Sequence, residues 1–300
     1  GRLRLHVDAS GVIGLHARGT HAVVPIRGCV VSDPALSRGI AALRAVGAEH
    51  LAELDAVELR VGGPGEPLLA VLSPRGPRGL SPMARRAFAA IGPKVRATEP
   101  SDPDPPLHHL PLPGGTYLAV PPRVFAQVNW AVNLALVTRV VEGALAASAS
   151  RFCDAYAGAG NFTIPLVARG LRGVSLEVDG AAVEAARGAL VTQGLPSDGL
   201  RAVDAATGLA ELARHGEQFD LAVVDPPRAG AREAIAPLLA LAPRVIALGS
   251  CDPPTFARDL AALVAGGYRV TSVEGFDMFP MTHHVEALAF LERGDARGAG

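Results

Sequence analysis

The sequence predicts an α/β protein: a doubly wound, mostly parallel sheet in the C-terminal part, preceded by a smaller α+β domain. From Trp130 onward, helical runs alternate with short apolar runs typical of buried strands, which is the pattern of a sheet covered by helices on both faces. Before Glu99, short alternating strands surround two longer helical stretches. A segment rich in proline and aspartate, residues 99–106, lies between the two patterns and indicates a linker.

The elements of the N-terminal part follow from their periodicity. Strands are expected where apolar and polar residues alternate, at Leu3–Val7, Val12–His16, Ala22–Ile26, Val57–Val61 and Pro67–Leu72. Helices are expected at Ala35–Glu53 and Ser81–Ile91. We assign residues 1–106 to the α+β domain, 107–293 to the doubly wound domain and 294–300 to a tail. The chain opens directly into a strand after Gly1, so we expect an N-terminal portion to precede it.

Composition favours an intracellular enzyme. Of the 300 residues, 49% are hydrophobic and 19% charged, enough for two domains with their own cores. The apolar stretches are interrupted by Gly, Pro and Arg, so neither a transmembrane helix nor a secretory signal is predicted. Three cysteines at unrelated spacings indicate a reducing compartment, and we expect a cytoplasmic monomer. The histidines show no metal-ligand spacing, and no metal is predicted.

Charge differs between the two parts of the chain. Residues 1–100 hold 13 Lys and Arg against 8 Asp and Glu, and residues 101–300 hold 15 against 21. A contact with RNA is therefore expected in the N-terminal domain, although clustered cations, rather than the sum, decide such binding.

Cys251 occupies the position expected of a nucleophile. The apolar run 244–248 predicts a strand, and Pro253 and Pro254 suit the first turn of a following helix. A thiol between them lies at the carboxyl edge of the sheet, where the helix N-terminus is expected to lower its pKa. The alternative for a lone cysteine is a buried structural thiol.

Two acidic residues are predicted near this cysteine. Asp225 ends an apolar strand and is followed by Pro226 and Pro227, which place a carboxylate on a stiff loop at the same sheet edge. Glu286 begins the apolar run before Leu291, where burial can tune a general base. Each pattern also fits an ordinary turn or strand start.

A glycine turn predicts a cofactor site. The strand 152–156 is followed by Gly158 and Gly160, but Thr163 replaces the third glycine of the dinucleotide motif. The next strand ends in Glu177, which can accept hydrogen bonds from both hydroxyls of a ribose. Adenosylmethionine fits this order better than a nicotinamide dinucleotide.

With these motifs in place, the chain resembles the RNA uracil-C5 methyltransferases, which make 5-methyluridine in tRNA and in large-subunit ribosomal RNA. Five segments match in order, strongly between residues 107 and 292: Phe125–Asn129, Asp154–Phe162, Asp225–Arg228, Ser250–Asp259 and Asp277–Glu286. The resemblance implies the seven-stranded, Rossmann-like class I methyltransferase domain, S-adenosyl-L-methionine as cofactor and RNA as partner.

The resemblance also implies residue roles. Cys251 would be the nucleophile and Glu286 the proton acceptor, whereas the methyl donor or the reacting base would be contacted by Gln127, Tyr156, Asn161, Glu177 and Asp225. Asp204, after the expected strand 200–203, is a weaker candidate for the adenine side. Either Phe279 or Phe256 is available to stack on a flipped base, although burial in the core is the commoner role of aromatics.

Some positions depart from the family pattern. Asp252 stands where the family usually has Asn, and its charge would oppose formation of the thiolate at Cys251. Met281 replaces a usual Gln and Ala126 a usual aromatic. Some relatives carry an N-terminal RNA-binding barrel and an iron–sulfur cluster; Cys29 matches the position of a last cluster ligand, but without companion cysteines we favour a buried structural thiol.

We therefore expect methyl transfer to C5 of a uridine, with ribosomal RNA favoured over tRNA. Three other functions stay open: an enzyme that methylates an amino group of a base, a small-molecule methyltransferase, and a non-catalytic RNA-binding or folding factor. The first would carry an aromatic residue where Arg228 follows the prolines, and neither of the first two needs Cys251.

Overall fold

The computed structural model describes residues 1–92, 94–282 and 284–294. Two compact units are distinguished: the first contains Gly1–Leu110, Val120–Arg123 and Val128–Trp130, and the second contains Pro111–Ala119, Val124–Gln127 and the chain from Ala131 onward. The domain boundaries predicted above remain predictions. His283 of the fifth matching segment, and the expected tail apart from Gly294, lie outside the described residues.

The first unit is an α+β sandwich. Its strands are β1 (Arg2–Val7), β2 (Ile13–His16), β3 (Val23–Pro25), β4 (Leu54–Arg60), β5 (Leu68–Pro74) and β6 (Val95–Thr98), and its helices are α1 (Pro34–Arg44), α2 (Ala48–Leu51) and α3 (Pro82–Ala89). The sheet has the order β3-β2-β1-β4-β5-β6, antiparallel except for the β5–β6 pair. The apolar residues of the strands and helices form one core.

One helix of this unit is shorter than the sequence predicted. The pattern at residues 35–53 predicted a single helix, but α1 ends at Arg44 and a separate turn, α2, follows. Gly47 has a φ of 105°, a left-handed conformation that ends the helical path. Strand β4 then begins at Leu54, so that Leu54, Ala56 and Val57 are buried.

The expected linker is held locally by hydrogen bonds. Asp102 accepts hydrogen bonds from the backbone N–H of Glu99 at 2.8 Å and from the hydroxyl of Thr98. Glu99 is itself buried and pairs with Arg85 at 2.9 Å. A two-stranded ribbon follows, β7 (His108–Pro111) with β8 (Tyr117–Val120).

The second unit is a doubly wound sheet, which confirms the predicted fold class. Its strands are β9 (Arg151–Ala155), β10 (Arg172–Glu177), β11 (Leu200–Ala202), β12 (Leu221–Val224), β13 (Val245–Ser250), β14 (Tyr268–Phe276) and β15 (Glu286–Arg293). Its helices are α4 (Trp130–Ala146), α5 (Thr163–Ala168), α6 (Gly180–Thr192), α7 (Ala205–Arg214), α8 (Arg232–Leu241) and α9 (Pro253–Ala265).

The order of this sheet is β11-β10-β9-β12-β13-β15-β14. The first five strands in that order are parallel, and β15 runs antiparallel to both β13 and β14. Strands β12 and β13 are buried along their whole length, as expected for central strands covered on both faces. Among the described residues, no helix is long and apolar enough to cross a membrane.

Candidate active site

Strand register brings the candidate residues to one edge of the second sheet. Among the parallel strands, Ala155 pairs with both Leu176 and Val224, and Val224 pairs with Leu248. The residues that follow these strand ends therefore lie side by side at the carboxyl edge, where open α/β sheets bind ligands. The antiparallel β15 contributes its first residue to the same edge, because Ala287 pairs with Ser250.

Cys251 lies in the turn between β13 and α9 and is half-buried. Burial raises the pKa of its thiol, as do the charges of Glu286 and Asp225, while the positive charge of Arg228 lowers it. The net effect is a raised pKa, because desolvation dominates, and the cationic side chain that favours the thiolate is Arg228. That the helix N-terminus lowers this pKa stays a prediction.

Asp252 caps a helix, a role that the sequence analysis did not predict. Its carboxylate accepts a hydrogen bond from the backbone N–H of Thr255 at 3.1 Å and caps α9. Aspartate and asparagine both serve well as N-caps, so the substitution at this position preserves the helix start. The negative charges that raise the pKa of Cys251 are those of Glu286 and Asp225.

Glu286 is the first residue of β15 and is only 3% exposed. Ser250 pairs with Ala287, so Cys251 directly follows and Glu286 directly precedes this pair at the sheet edge, and the charge of Glu286 acts on the Cys251 thiol. Burial, and secondarily the charge of Asp225, raises the pKa of Glu286 to about 8. A carboxylate whose pKa is raised in this way is a stronger base than an exposed one.

Asp225 follows β12 and lies over the neighbouring strand. A Cβ atom added at Gly249 would come within 2.7 Å of the Asp225 Oδ1 atom, so only glycine leaves room for the carboxylate. Burial raises the pKa of Asp225 to about 6. Asp225, Glu286 and Cys251 thus form a desolvated group of ionisable side chains, an arrangement that is frequent at functional sites.

The glycine turn after β9 is tied to the next strand through Glu177. One carboxylate oxygen of Glu177 accepts a hydrogen bond from the backbone N–H of Gly158, and the other accepts one from Asp179, each at 2.8 Å. Gly158 has a φ of 54° and no atom within 4 Å of the place where a Cβ would stand, so the turn is open on that side. Carboxylate oxygens can accept further hydrogen bonds, so Glu177 is held in place and still able to receive a ligand hydroxyl.

Tyr156 and Asp204 lie beside the same turn. Tyr156 has a φ of 65°, an uncommon conformation for a residue with a side chain. Burial raises the pKa of Tyr156 to about 12, and the negative charge of Asp204 contributes. Asp204 is exposed and caps α7 by accepting a hydrogen bond from the backbone N–H of Thr207 at 3.1 Å. Its structural role is therefore a cap, and a ligand contact stays a prediction.

Asn161 is paired with a residue that the sequence analysis missed. The side-chain amides of Asn161 and Asn133 exchange two hydrogen bonds, of 2.8 and 2.9 Å, and Asn133 is fully buried. Asn133 lies within α4, where no turn or motif draws attention to it; a buried polar residue in an apolar helix was the available signal. Gln127, the remaining candidate, is half-buried in an irregular segment before α4.

Asp154 is a second residue to which the sequence analysis assigned no role. It is fully buried in β9, and its Oδ2 atom accepts a 2.6 Å hydrogen bond from Thr163, whose hydroxyl also lies 2.7 Å from that of Ser175. Thr163, which replaces the third motif glycine, therefore connects the turn to two strands. Burial raises the pKa of Asp154 to about 7, and the charges of Asp225 and Glu177 add to this rise.

The other candidates divide by burial. Phe256 belongs to the core of the second unit, whereas Phe279 is half-buried and packs edge-on against His284 at 5.9 Å. Cys153 is buried, as expected, but Cys29 is only half-buried, so the expectation of a buried thiol there is wrong. Within the described ranges, no group of three or more His, Cys, Asp or Glu side chains is arranged to hold a metal ion.

Comparison with known proteins gives a consistent result. A model of the tRNA (uracil-5-)-methyltransferase family matches residues 117–294. The chain is 35% identical, over 99% of its length, to the 23S rRNA (uracil(1939)-C(5))-methyltransferase RlmD of Chromohalobacter salexigens, of which it covers 65%. It is 32% identical, over 97% of its length, to an uncharacterized RNA methyltransferase of Streptomyces avermitilis, of which it covers 66%.

The chain thus spans about two thirds of the length of the curated relatives it matches. Among solved structures, it superimposes with a TM-score of 0.77 on a Pyrococcus abyssi tRNA (uracil-54, C5)-methyltransferase in complex with S-adenosyl-L-homocysteine. The alignment covers 97% of this chain and 75% of the other, at 23% identity, and it establishes a common fold.

Proposed function

The chain belongs to the tRNA (uracil-5-)-methyltransferase family, and from that premise we propose that it transfers a methyl group from S-adenosylmethionine to C5 of a uridine in RNA. The observation that carries the proposal is the pairing of Ser250 with Ala287, whose neighbours Cys251 and the buried Glu286 lie at the same sheet edge and interact electrostatically. This reaction needs a nucleophile and a base acting on adjacent carbons of one ring, and the pair meets that need.

Ribosomal RNA is the substrate that we propose. Three relatives named as 23S rRNA (uracil(1939)-C(5))-methyltransferases are 32–35% identical to the chain over at least 95% of its length. The alternative substrate is tRNA, which the name of the matching family model and that of the superimposed structure both favour. We further propose a cytoplasmic monomer, and its free cysteines suit a reducing compartment.

The residues of the sheet edge fit S-adenosylmethionine. The open turn at Gly158 lets a ligand approach the backbone, and Glu177 is fixed where a ribose acceptor is required. Asp225, an acid at this edge, favours a positively charged ligand over a pyrophosphate. When bound, the cofactor supplies an electrophilic methyl group on a sulfonium cation. Glu177, Asp225 and the turn 156–161 would hold it.

Cys251 opens the reaction by adding to C6 of the uracil ring. Its thiolate sulfur forms a bond to C6, and the electron pair of the C5–C6 double bond moves onto C5 and the neighbouring carbonyl. C5 thereby becomes nucleophilic. Arg228 assists because its charge favours the thiolate over the thiol.

Glu286 closes the reaction. After C5 has gained the methyl group it still carries its original proton, which the Glu286 carboxylate removes. The electrons of that C–H bond re-form the C5–C6 double bond and release the Cys251 thiolate. The raised pKa of Glu286 makes its carboxylate a stronger base, which favours removal of the proton from C5.

The test is to offer the protein RNA that contains 5-fluorouridine. Fluorine at C5 cannot be removed as a proton, so the adduct should persist as a slowly migrating band on a denaturing gel. With ordinary RNA, nucleoside analysis should detect 5-methyluridine in ribosomal RNA. Cys251→Ala should abolish both results and leave cofactor affinity within about twofold, since only the nucleophile is lost.

The other outcomes discriminate between the alternatives. Methylation of tRNA alone would exclude ribosomal RNA as the substrate. Normal methylation by Cys251→Ala would exclude the covalent mechanism and point to amino-group or small-molecule methylation. RNA binding with neither adduct nor methylation would identify a non-catalytic factor.

A further inference from the structure

Helix α9 carries a buried acid that the reaction above does not use. Asp259 is 3% exposed and lies on the second turn of the helix that follows Cys251. Its Oδ2 atom accepts a hydrogen bond from the backbone N–H of Ala231 at 2.7 Å. Ala231 ends the loop of residues 225–231 that begins with Asp225, which we call the Asp225 loop.

Arg258 completes the contact with this loop. Its guanidinium donates two hydrogen bonds to the Asp259 Oδ1 atom, at 2.9 and 2.7 Å, and one to the backbone carbonyl of Ala229 at 3.1 Å. Asp259 and Arg258 together therefore hold one backbone N–H and one backbone carbonyl of the loop. Both contacts lie within three residues of Arg228.

The loop is fitted closely to this pair. A Cβ atom at Gly230 would lie 2.2 Å from the Arg258 Nη2 atom and 2.6 Å from the Asp259 Oδ2 atom, and Gly230 has a φ of 78°. The contact lies at the start of helix α8, whose N-cap residue is Ala231. The N–H of Ala231 is satisfied by the carboxylate of Asp259 from another helix.

We propose that Asp259 and Arg258 are positioning residues, which couple the Asp225 loop to the helix of the nucleophile and so keep Arg228 and Asp225 beside Cys251. This inference rests on the proposed function only for its consequence in turnover. The charged and ionisable groups that face Cys251 are Glu286, Asp225 and Arg228, and the loop carries the last two. Release of the loop should therefore move both the cation that favours the thiolate and a carboxylate that opposes it, and so change the pKa of Cys251.

The test measures the thiol without RNA or methyl transfer. In a Cys29→Ser background, where Cys153 is fully buried, the rate of iodoacetamide alkylation against pH reports the ionisation of Cys251. Asp259→Ala should shift the midpoint, because release of the loop moves Arg228 and Asp225 relative to the thiol. In the RNA assay, kcat should fall about a hundredfold, as expected for a displaced site.

Asp220→Ala is the matched control. Asp220 also accepts hydrogen bonds from two backbone N–H groups, those of Ser150 and Arg151 at 2.8 and 3.0 Å, but it precedes β12 and lies at the opposite end of the strand from Asp225. The Asp220→Ala variant should have a lower melting temperature and an unchanged alkylation midpoint. If Asp259→Ala does not fold, Arg258→Gln is the variant to measure, because it keeps the hydrogen bond from Ala231 to Asp259. It should move the alkylation midpoint in the same direction.

An unchanged midpoint in both Asp259→Ala and Arg258→Gln would overturn the proposal. An equal shift in Asp220→Ala would also overturn it, because the effect would then follow from general destabilisation. These results are distinct from failure of the proposed function, in which no RNA is methylated although the alkylation midpoints differ as expected.

Discussion

The two halves of the carboxyl edge of the second sheet hold their acidic side chains in different ways. Beside β10 and β11, Glu177 and Asp204 accept hydrogen bonds from backbone N–H groups. Beside β12 and β15, Asp225 and Glu286 are instead desolvated, and the pKa of each is raised. The first half thus holds its carboxylates by hydrogen bonds, and the second holds carboxyl groups whose pKa is shifted towards neutral pH.

The difference has a physical basis in what each task requires. A binding carboxylate must stay ionised and in place, which hydrogen bonds to the ionised form favour. A general base must bind and release a proton within the working pH range, which burial makes attainable by raising its pKa. The comparison can be tested by changing one acid at a time and asking whether binding, turnover or stability responds.

The largest effect is expected in the second half, from Glu286→Gln. The amide cannot accept the C5 proton, so turnover should fall by roughly 10²–10⁴-fold, while attack by Cys251 remains. Methylated RNA should then stay attached to the protein and give a slowly migrating, methyl-labelled band on a denaturing gel. The band should vanish when Cys251→Ala is added. Normal turnover, or absence of the adduct despite binding of both substrates, would show that another group removes the proton.

In the first half, Glu177→Ala should act on binding. Loss of a charged acceptor should weaken the affinity for S-adenosylmethionine by about 1.5–3 kcal/mol, or roughly 10- to 150-fold. Titration calorimetry measures this directly. Glu184→Ala, which removes an exposed acid from α6 that pairs only across the helix surface with Arg187, should leave the affinity unchanged. Equal affinities in all three proteins would place the ribose elsewhere.

The stability of the second half should depend on pH. The raised pKa values of Asp154, Asp225 and Glu286 mean that the folded protein retains protons that the unfolded chain releases. The stability that these three groups contribute is therefore fully present below about pH 4 and is lost as the pH rises to about 8. Urea unfolding between pH 5 and pH 8 should show this decline, and Asp154→Asn should make it shallower. The same slope in both proteins would contradict the raised pKa of Asp154.

The smallest effect is expected from Asp204→Ala. Loss of the cap on α7 should lower the free energy of unfolding by about 1 kcal/mol. Asp33→Ala, which removes the corresponding cap from α1 in the other unit, should cost a similar amount. Only Asp204→Ala should also weaken cofactor binding. If the two variants bind the cofactor equally well, Asp204 is a cap and nothing more.

The elements that could be predicted from sequence are those with local signals. The strands before Tyr156, Asp225 and Cys251 were predictable because each apolar run ends in glycine, proline or a polar residue. The break at Gly47 was missed because helical periodicity continued on both sides of it. Strand β6 was missed because it has four residues and alternates weakly, and because a helix separates it from its partner β5.

The residues of the candidate site also differ in whether a local sequence signal reveals them. Cys251 and Glu286 stand at strand ends, where a motif can reveal them, whereas Asn133 and Asp259 lie inside helices and acquire partners only through tertiary packing. The pKa of Cys251 could not be predicted with the correct sign, because the local helix start favours the thiolate while desolvation and Glu286, fixed by the fold, oppose it.

The antiparallel pairing of β15 with β13 fixes the position of Glu286 independently of the chain between β14 and β15. Because backbone pairing of Ser250 with Ala287 sets the position of Glu286, the spacing of nucleophile and base does not depend on the length of residues 277–285. Insertions there can be accommodated at the small entropic cost of a longer loop, provided the strand register is kept. An engineer could thus graft new loops at this position without changing the spacing of Cys251 and Glu286.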